Sequence, residues 1–140
     1  MAEAGERLGD AASGPYDSTA LPFRVQVRAT TGDHYALTVR IARDHLRLIQ
    51  RDGRWQGALD FLFIQRDEVG NEYEHQTYTA EIDLKPETYQ RIVQDGEASY
   101  TNTVVRHPHA NDLRVIVRNR GTDLAGSVTV PFADIKQPPQ

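Results

Sequence analysis

The 140-residue chain has no cysteine, one tryptophan and one methionine. Without a thiol there is no disulfide, no zinc–thiolate site, no iron–sulfur cluster and no cysteine nucleophile. Long apolar runs are missing as well. None approaches the roughly 20 residues that cross a bilayer as a helix, so no membrane insertion is expected. The opening stretch MAEAGERLGDAASGPYDSTA has no apolar centre and lacks the form of a signal peptide or anchor. Residues 1–20 read as a flexible lead-in or linker. A basic surplus is also lacking, because 16 Lys and Arg stand against 20 Asp and Glu, for a formal net charge of -4. Nucleic acid is therefore not an expected partner.

Catalytic signatures are absent in the same way. There is no G-x-S-x-G elbow, and GTDLAG lacks both the spacing and the following helix of a phosphate or dinucleotide loop. The carboxylates are scattered along turns rather than paired. No catalytic residue and no cofactor are expected, and the chain reads as a non-enzyme.

What is present is alternation. Hydrophobic residues make up 39% and charged residues 26%, the balance of one folded domain. Phe23, Val25, Val27 and Ala29 alternate with Arg24, Gln26 and Arg28, the period of a half-buried strand. TTGD turns the chain into a second alternation, Tyr35, Leu37, Val39 and Ile41, which makes a hairpin. Leu46 and Leu48 start a short strand before the tight turn at Asp52-Gly53. In ALDFLFIQRD both faces are apolar, as suits a central strand. HQTYTAEIDL follows with Tyr78, Ala80, Ile82 and Leu84 on its inner face.

KPETYQRIVQDG breaks the pattern. Pro86 suits a first helical turn, Tyr89, Ile92 and Val93 share a face, and Gly96 suits the left-handed end, so a short helix is expected near 86–95. Strands resume in EASYTNTVVR, and LRVIVRNRGTDLAGSVTVPF closes the domain as a hairpin with Gly121 and Gly126 bracketing its bend. In that hairpin the arginines at 114, 118 and 120 are read as solvent-side, and Ile116 as a covered or partner-facing spot. The expected fold is all-β: an antiparallel, immunoglobulin-like sandwich of about seven or eight strands. The sandwich is placed at 21–135 and a disordered tail at 136–140.

Several residues are candidates for binding. His107 and His109, one residue apart, are suited to share a metal, although the same run reads as a proline-stiffened loop. Asp67 and Glu68, with Asn71, Glu72 and Glu74, offer oxygens for calcium or form a solvated turn. Trp55 with Tyr73 and Tyr78 could stack on a sugar, or Trp55 could be the lid of a sandwich end. Arg24, Arg28, Arg40, Arg114 and Arg118 face outward by alternation, as a basic stripe for an anionic partner or as a solvated face that blunts sheet edges.

The runs LPFRVQVRA, RWQGALDF, TYTAEI, YQRIVQDG and LRVIVRN…GSVTVP together resemble the C-terminal β-domain of bacterial, acidobacterial-type VWFA-related proteins. In that family a von Willebrand factor A domain precedes a domain of this kind. The metal-binding D-x-S-x-S motif of the A domain has no counterpart in this chain. The resemblance implies an accessory module of a larger exported protein. Its role would be protein–protein contact, with an adjacent A domain as the partner. A carbohydrate- or calcium-binding module is the alternative reading.

Overall fold

The computed structural model describes residues 20–135. The lead-in expected at 1–20, apart from Ala20, and the tail at 136–140 lie outside the described residues. In chain order the elements are β1 (Arg24–Ala29), β2 (His34–Ala42), α1 (Arg43–Leu46), β3 (Ile49–Arg51), β4 (Arg54–Arg66), β5 (Glu72–Leu84), α2 (Pro86–Asp95), β6 (Glu97–Val105), β7 (Asp112–Asn119) and β8 (Leu124–Pro131). A 3-10 turn at Phe132–Asp134 follows β8.

All strand pairings are antiparallel. β2 lies between β1 and β6 in a three-stranded sheet. In the second sheet β4 pairs with β5 along one edge, and with β3 and then β7 along the other, while β8 pairs with β7. The two sheets pack face to face. Leu37, Val39, Ile41 and Val104 from the first share one core with Leu59, Phe61, Phe63, Leu113, Val115 and Val117 from the second. Rings cross the interface, with Phe61 and Tyr100 centroids 5.5 Å apart and Tyr35 and Phe132 5.2 Å apart. The described residues thus form an all-β sandwich of eight strands. In β1, β2 and β5 the inward set was marked by its period of two, because burying alternate residues is how a strand joins a core, while β4 is apolar on both faces.

The helix expected near 86–95 is α2. Pro86 opens it, and Gly96, at φ 79°, ends it with its N–H on the Ile92 carbonyl at 2.8 Å. Trp55 stacks on Tyr89 of this helix, centroids 3.9 Å apart and planes within 11°, and so clasps the helix over one end of the sandwich. Among the described residues no helix is long and apolar enough to cross a membrane.

Three local expectations are corrected. Leu46 closes the one-turn helix α1 instead of starting a strand, and β3 begins only at Ile49 because Arg47 turns left-handed at φ 51°. Gly126 lies inside β8, opposite Val117, and not at the bend, which is made by residues 120–123 with Asp123 at φ 58°. The outward-pointing arginines of β7 are not solvent-side. Arg114 is 1% exposed and Arg118 5%, and between them Ile116 clusters with Leu62 and Ile64 on a shielded outer face. Arg120, at the end of the strand, keeps 42% of its side chain exposed. Alternation assigns a side chain to a face of the sheet, but whether that face meets water is a tertiary matter.

Candidate functional site

Two loops that look unrelated in sequence meet at one end of the sandwich. Arg66 of β4 pairs with Glu72 of β5 on one side and with Asp112 of β7 on the other. The β4–β5 turn and the β6–β7 loop therefore emerge side by side. The Asn111 N–H donates to the Arg66 carbonyl at 2.6 Å and Arg66 Nε bonds Asp112 Oδ1 at 3.1 Å, which locks the two together. Between them opens a cleft of about 600 Å³, walled by Asp67, Glu68 and Tyr73 from one loop and Arg106, His109 and Asn111 from the other.

The first wall is organised by Asp67. Its Oδ1 accepts the N–H groups of Val69 at 3.0 Å and Asn71 at 2.9 Å, and its Oδ2 accepts Asn71 Nδ2 at 2.9 Å and the Tyr73 hydroxyl at 3.1 Å. The Asn71 amide, joined by the backbone N–H groups and the Tyr73 hydroxyl, holds the Asp67 carboxyl below its ordinary value. The same bond raises the Tyr73 hydroxyl, so the tyrosine remains a donor. Gly70, at φ 93°, supplies the left-handed residue this turn requires.

The second wall is fastened from below. Gln65 is a polar residue at an inward position of β4 and is 1% exposed. In phase with Phe61 and Phe63, it reaches across the gap between the sheets to β6. Its Nε2 donates to the Val105 carbonyl at 2.8 Å, and its Oε1 accepts the His107 N–H at 2.7 Å. Arg106 bonds the Ala110 carbonyl through Nη2 at 2.9 Å and lies 4.5 Å over the Phe132 ring. His107 stacks on Tyr73, centroids 4.4 Å apart and planes within 9°, while the His109 N–H donates to His107 Nδ1 at 3.1 Å.

Asp67, Glu68, Tyr73, His107 and His109 are thus gathered at one place. Their geometry is not that of a metal centre: both Asp67 oxygens and His107 Nδ1 already accept hydrogen bonds from the loops themselves. Among the described residues no three His, Asp or Glu side chains lie close enough together to hold an ion. Trp55 does not join them. It sits against Leu84 at the opposite end of the β4–β5 hairpin from Tyr73, so the stacking platform of Trp55 with Tyr73 is not formed. Tyr78 faces inward near Phe63, 5.7 Å between centroids, and is 40% exposed.

The basic stripe divides in two. Arg24, Arg28 and Arg40 share the outer face of the three-stranded sheet, while Arg114, Ile116 and Arg118 lie buried on the other sheet. Arg118 binds Asp60 through Nε at 3.1 Å and through Nη2, and reaches Asp123 at 3.3 Å. Sequence reasoning missed Gln65 and Arg106. The available signal for Gln65 was a lone amide in phase with Phe61 and Phe63; Arg106 carried none.

Replacing Gln65 by Ala leaves the Val105 carbonyl and the His107 N–H without their partner in a buried place. A loss of about 1–3 kcal/mol in urea unfolding is expected. Hydrogen exchange should quicken at His107 before it does so in β7. No protein-family model matches the chain, and no curated protein matches it either.

Proposed function

We propose that the chain is a non-catalytic recognition module, immunoglobulin-like in its use of end loops, that contacts its partner through the cleft between the β4–β5 turn and the β6–β7 loop. The observation that carries this reading is the convergence of Asp67, Tyr73, Arg106, His109 and Asn111 on one cleft of about 600 Å³. The loops are prearranged by their own bonds and held on the rigid frame of Gln65, so little ordering entropy remains to oppose binding. The cleft offers a cation, carboxylates, an amide and aromatic edges, the mixture that recognises a protein segment rather than a bare ion. The resemblance to VWFA-related proteins makes an adjacent von Willebrand factor A domain the first partner to test, in an exported protein.

Titration calorimetry of the chain against that A domain should give micromolar binding, weakened about tenfold or more by Tyr73→Ala or Asn111→Ala, with the fold intact by circular dichroism. Absence of heat at high micromolar concentration overturns docking to this partner. A second reading, a carbohydrate in the same cleft, draws on the Tyr73–His107 stack. A thermal-shift screen against glycans separates the two, since a ligand at 100 times its Kd adds about 2.7 kcal/mol. Calcium belongs in the same screen, but the two Asp67 oxygens that would bind it already accept four hydrogen bonds.

A further inference from the structure

The outer face of the three-stranded sheet lies away from the cleft and carries a second feature. Register places Gln26, Thr38 and Thr101 in one row across β1, β2 and β6, with Arg28 and Ala36 in the row beside it and Arg24 and Arg40 in the row on the other side. Because Ala36 is small, the face dips there into a hollow of about 230 Å³, lined by Gln26, Arg28, Ala36, Thr38, Arg40 and Thr101.

The hydrogen-bond inventory of this hollow is one-sided. The Gln26 Oε1, an acceptor, is already taken by Arg40 Nη1 at 2.8 Å, which leaves the amide Nε2 to donate. Thr38 and Thr101 hydroxyls lie 3.1 Å apart, so one proton is spent between them and the other is left for a ligand. Glu97, the acid at the border of this face, is engaged by Arg24 and by Arg40, the latter at 3.7 Å. Arg28 is exposed and makes no ion pair among the described residues. A guanidinium fork, an amide and a hydroxyl thus converge on one hollow, with no carboxylate among the described residues that line it.

A site that presents donors selects a ligand that presents only acceptors. We propose that this hollow binds an oxyanion group, a phosphate or sulfate ester, with Arg28 as the bidentate anchor and Gln26 and the Thr38–Thr101 pair supplying the further donors. Gln26, Arg28 and Thr101 are exposed, so the group can be carried on a longer chain. This inference does not rest on the cleft at the end of the sandwich.

The test is an NMR titration with inorganic phosphate and inorganic sulfate. A phosphorylated carrier, tripolyphosphate, and a sulfated carrier, a heparin-derived tetrasaccharide, then identify the source of the group. Amide shifts should concentrate at Arg28, Ala36, Thr38 and Thr101. Arg28→Ala should weaken binding about tenfold or more, Arg28→Lys should restore it only in part, and Thr38→Val should weaken it less. Arg91→Ala on α2 and Tyr73→Ala at the cleft should leave it unchanged. Three results would each overturn the proposal: no shift with any probe, equal weakening by Arg28→Ala and Arg91→Ala, or binding of an acidic peptide where neither oxyanion binds. Arg28 and Arg91 are both exposed, so neither variant removes a core contact.

Discussion

Replacing Asp60 by Ala should lower stability by about 3–5 kcal/mol, the largest loss expected from removing any single charge in this domain. Asp60 sits at the centre of a shielded cluster on the outer face of the second sheet. Its carboxylate receives Thr79 Oγ1 at 2.8 Å, two bonds from Arg118, and Arg120 Nε at 3.0 Å. The Arg118 side chain is 7% exposed and that of Asp60 10%, so neither charge has much water to fall back on. Without the carboxylate, Arg118 keeps only Asp123, at 3.3 Å and 36% exposed, among its named partners. Thermal unfolding should move down by about 10 °C or more. The two arginines are not equal: Arg120 is 42% exposed and can turn to solvent, so Arg120→Ala should cost much less than Arg118→Ala.

The same cluster sets an acid dependence. Burial pushes the Asp60 carboxyl up, but the hydrogen bonds of Arg120, Arg118 and Thr79 outweigh it, and the group sits below its ordinary value. A carboxyl depressed in the folded state contributes its full stability above the unfolded value of about 4, and loses it as pH falls through the lower folded value. Urea midpoints of wild type and Asp60→Asn should therefore differ by a constant amount down to about pH 4 and converge below it. A gap that widens in acid would contradict this assignment.

How much of this was legible beforehand differs from residue to residue. The inward sets of β1, β2 and β7 were plain because a period of two is a local property, whereas β4 reads as apolar on both faces; α2 was plain because Pro86 and Gly96 mark its ends. The cleft was legible only in parts. HPHAN and DEVGNEY each stood out as polar loops, but they meet because β4 takes β5 on one edge and β7 on the other, a long-range pairing that no local pattern encodes. Arg118 was placed on the correct face and given the wrong surroundings. Its partner Asp60 stands opposite it in register, yet the two are 58 positions apart in the chain. Trp55 and Tyr73 both looked like binding aromatics, and the hairpin that carries them holds them at opposite ends.

Gly126 is the clearest case of a residue whose reason is invisible locally, and it makes a strong prediction. A glycine between Ala125 and Ser127 weakens a strand, so local reading moves it to a turn. Here it stands opposite Val117 in mid-strand, and the chain entering the domain passes directly over it. A Cβ at this position would meet the Leu21 carbonyl oxygen at 2.0 Å, its carbon at 2.9 Å and Phe23 Cε1 at 3.3 Å. Two of these are backbone atoms, which cannot rotate away, and 2.0 Å is well inside the 3.0 Å that real Cβ atoms keep. Gly126→Ala must therefore lift residues 21–23 off β8 or distort β8 itself. Overpacking costs about 1–3 kcal/mol. If Leu21, now 2% exposed, leaves the core, its burial of about 1.5–3 kcal/mol is lost as well. We expect a total near 3 kcal/mol by urea unfolding, with faster hydrogen exchange in β1. Gly121→Ala is the control, since its Cβ meets only Asn119 Oδ1 at 3.2 Å and the Arg47 carbonyl at 3.5 Å, and it should cost far less. A double-mutant cycle then separates mechanisms. Leu21→Ala alone should cost about 2–5 kcal/mol. In the Gly126→Ala background it should cost much less, because the leucine is already displaced. Fully additive costs would mean that Gly126 serves the shape of β8 rather than the passage of Leu21 across it.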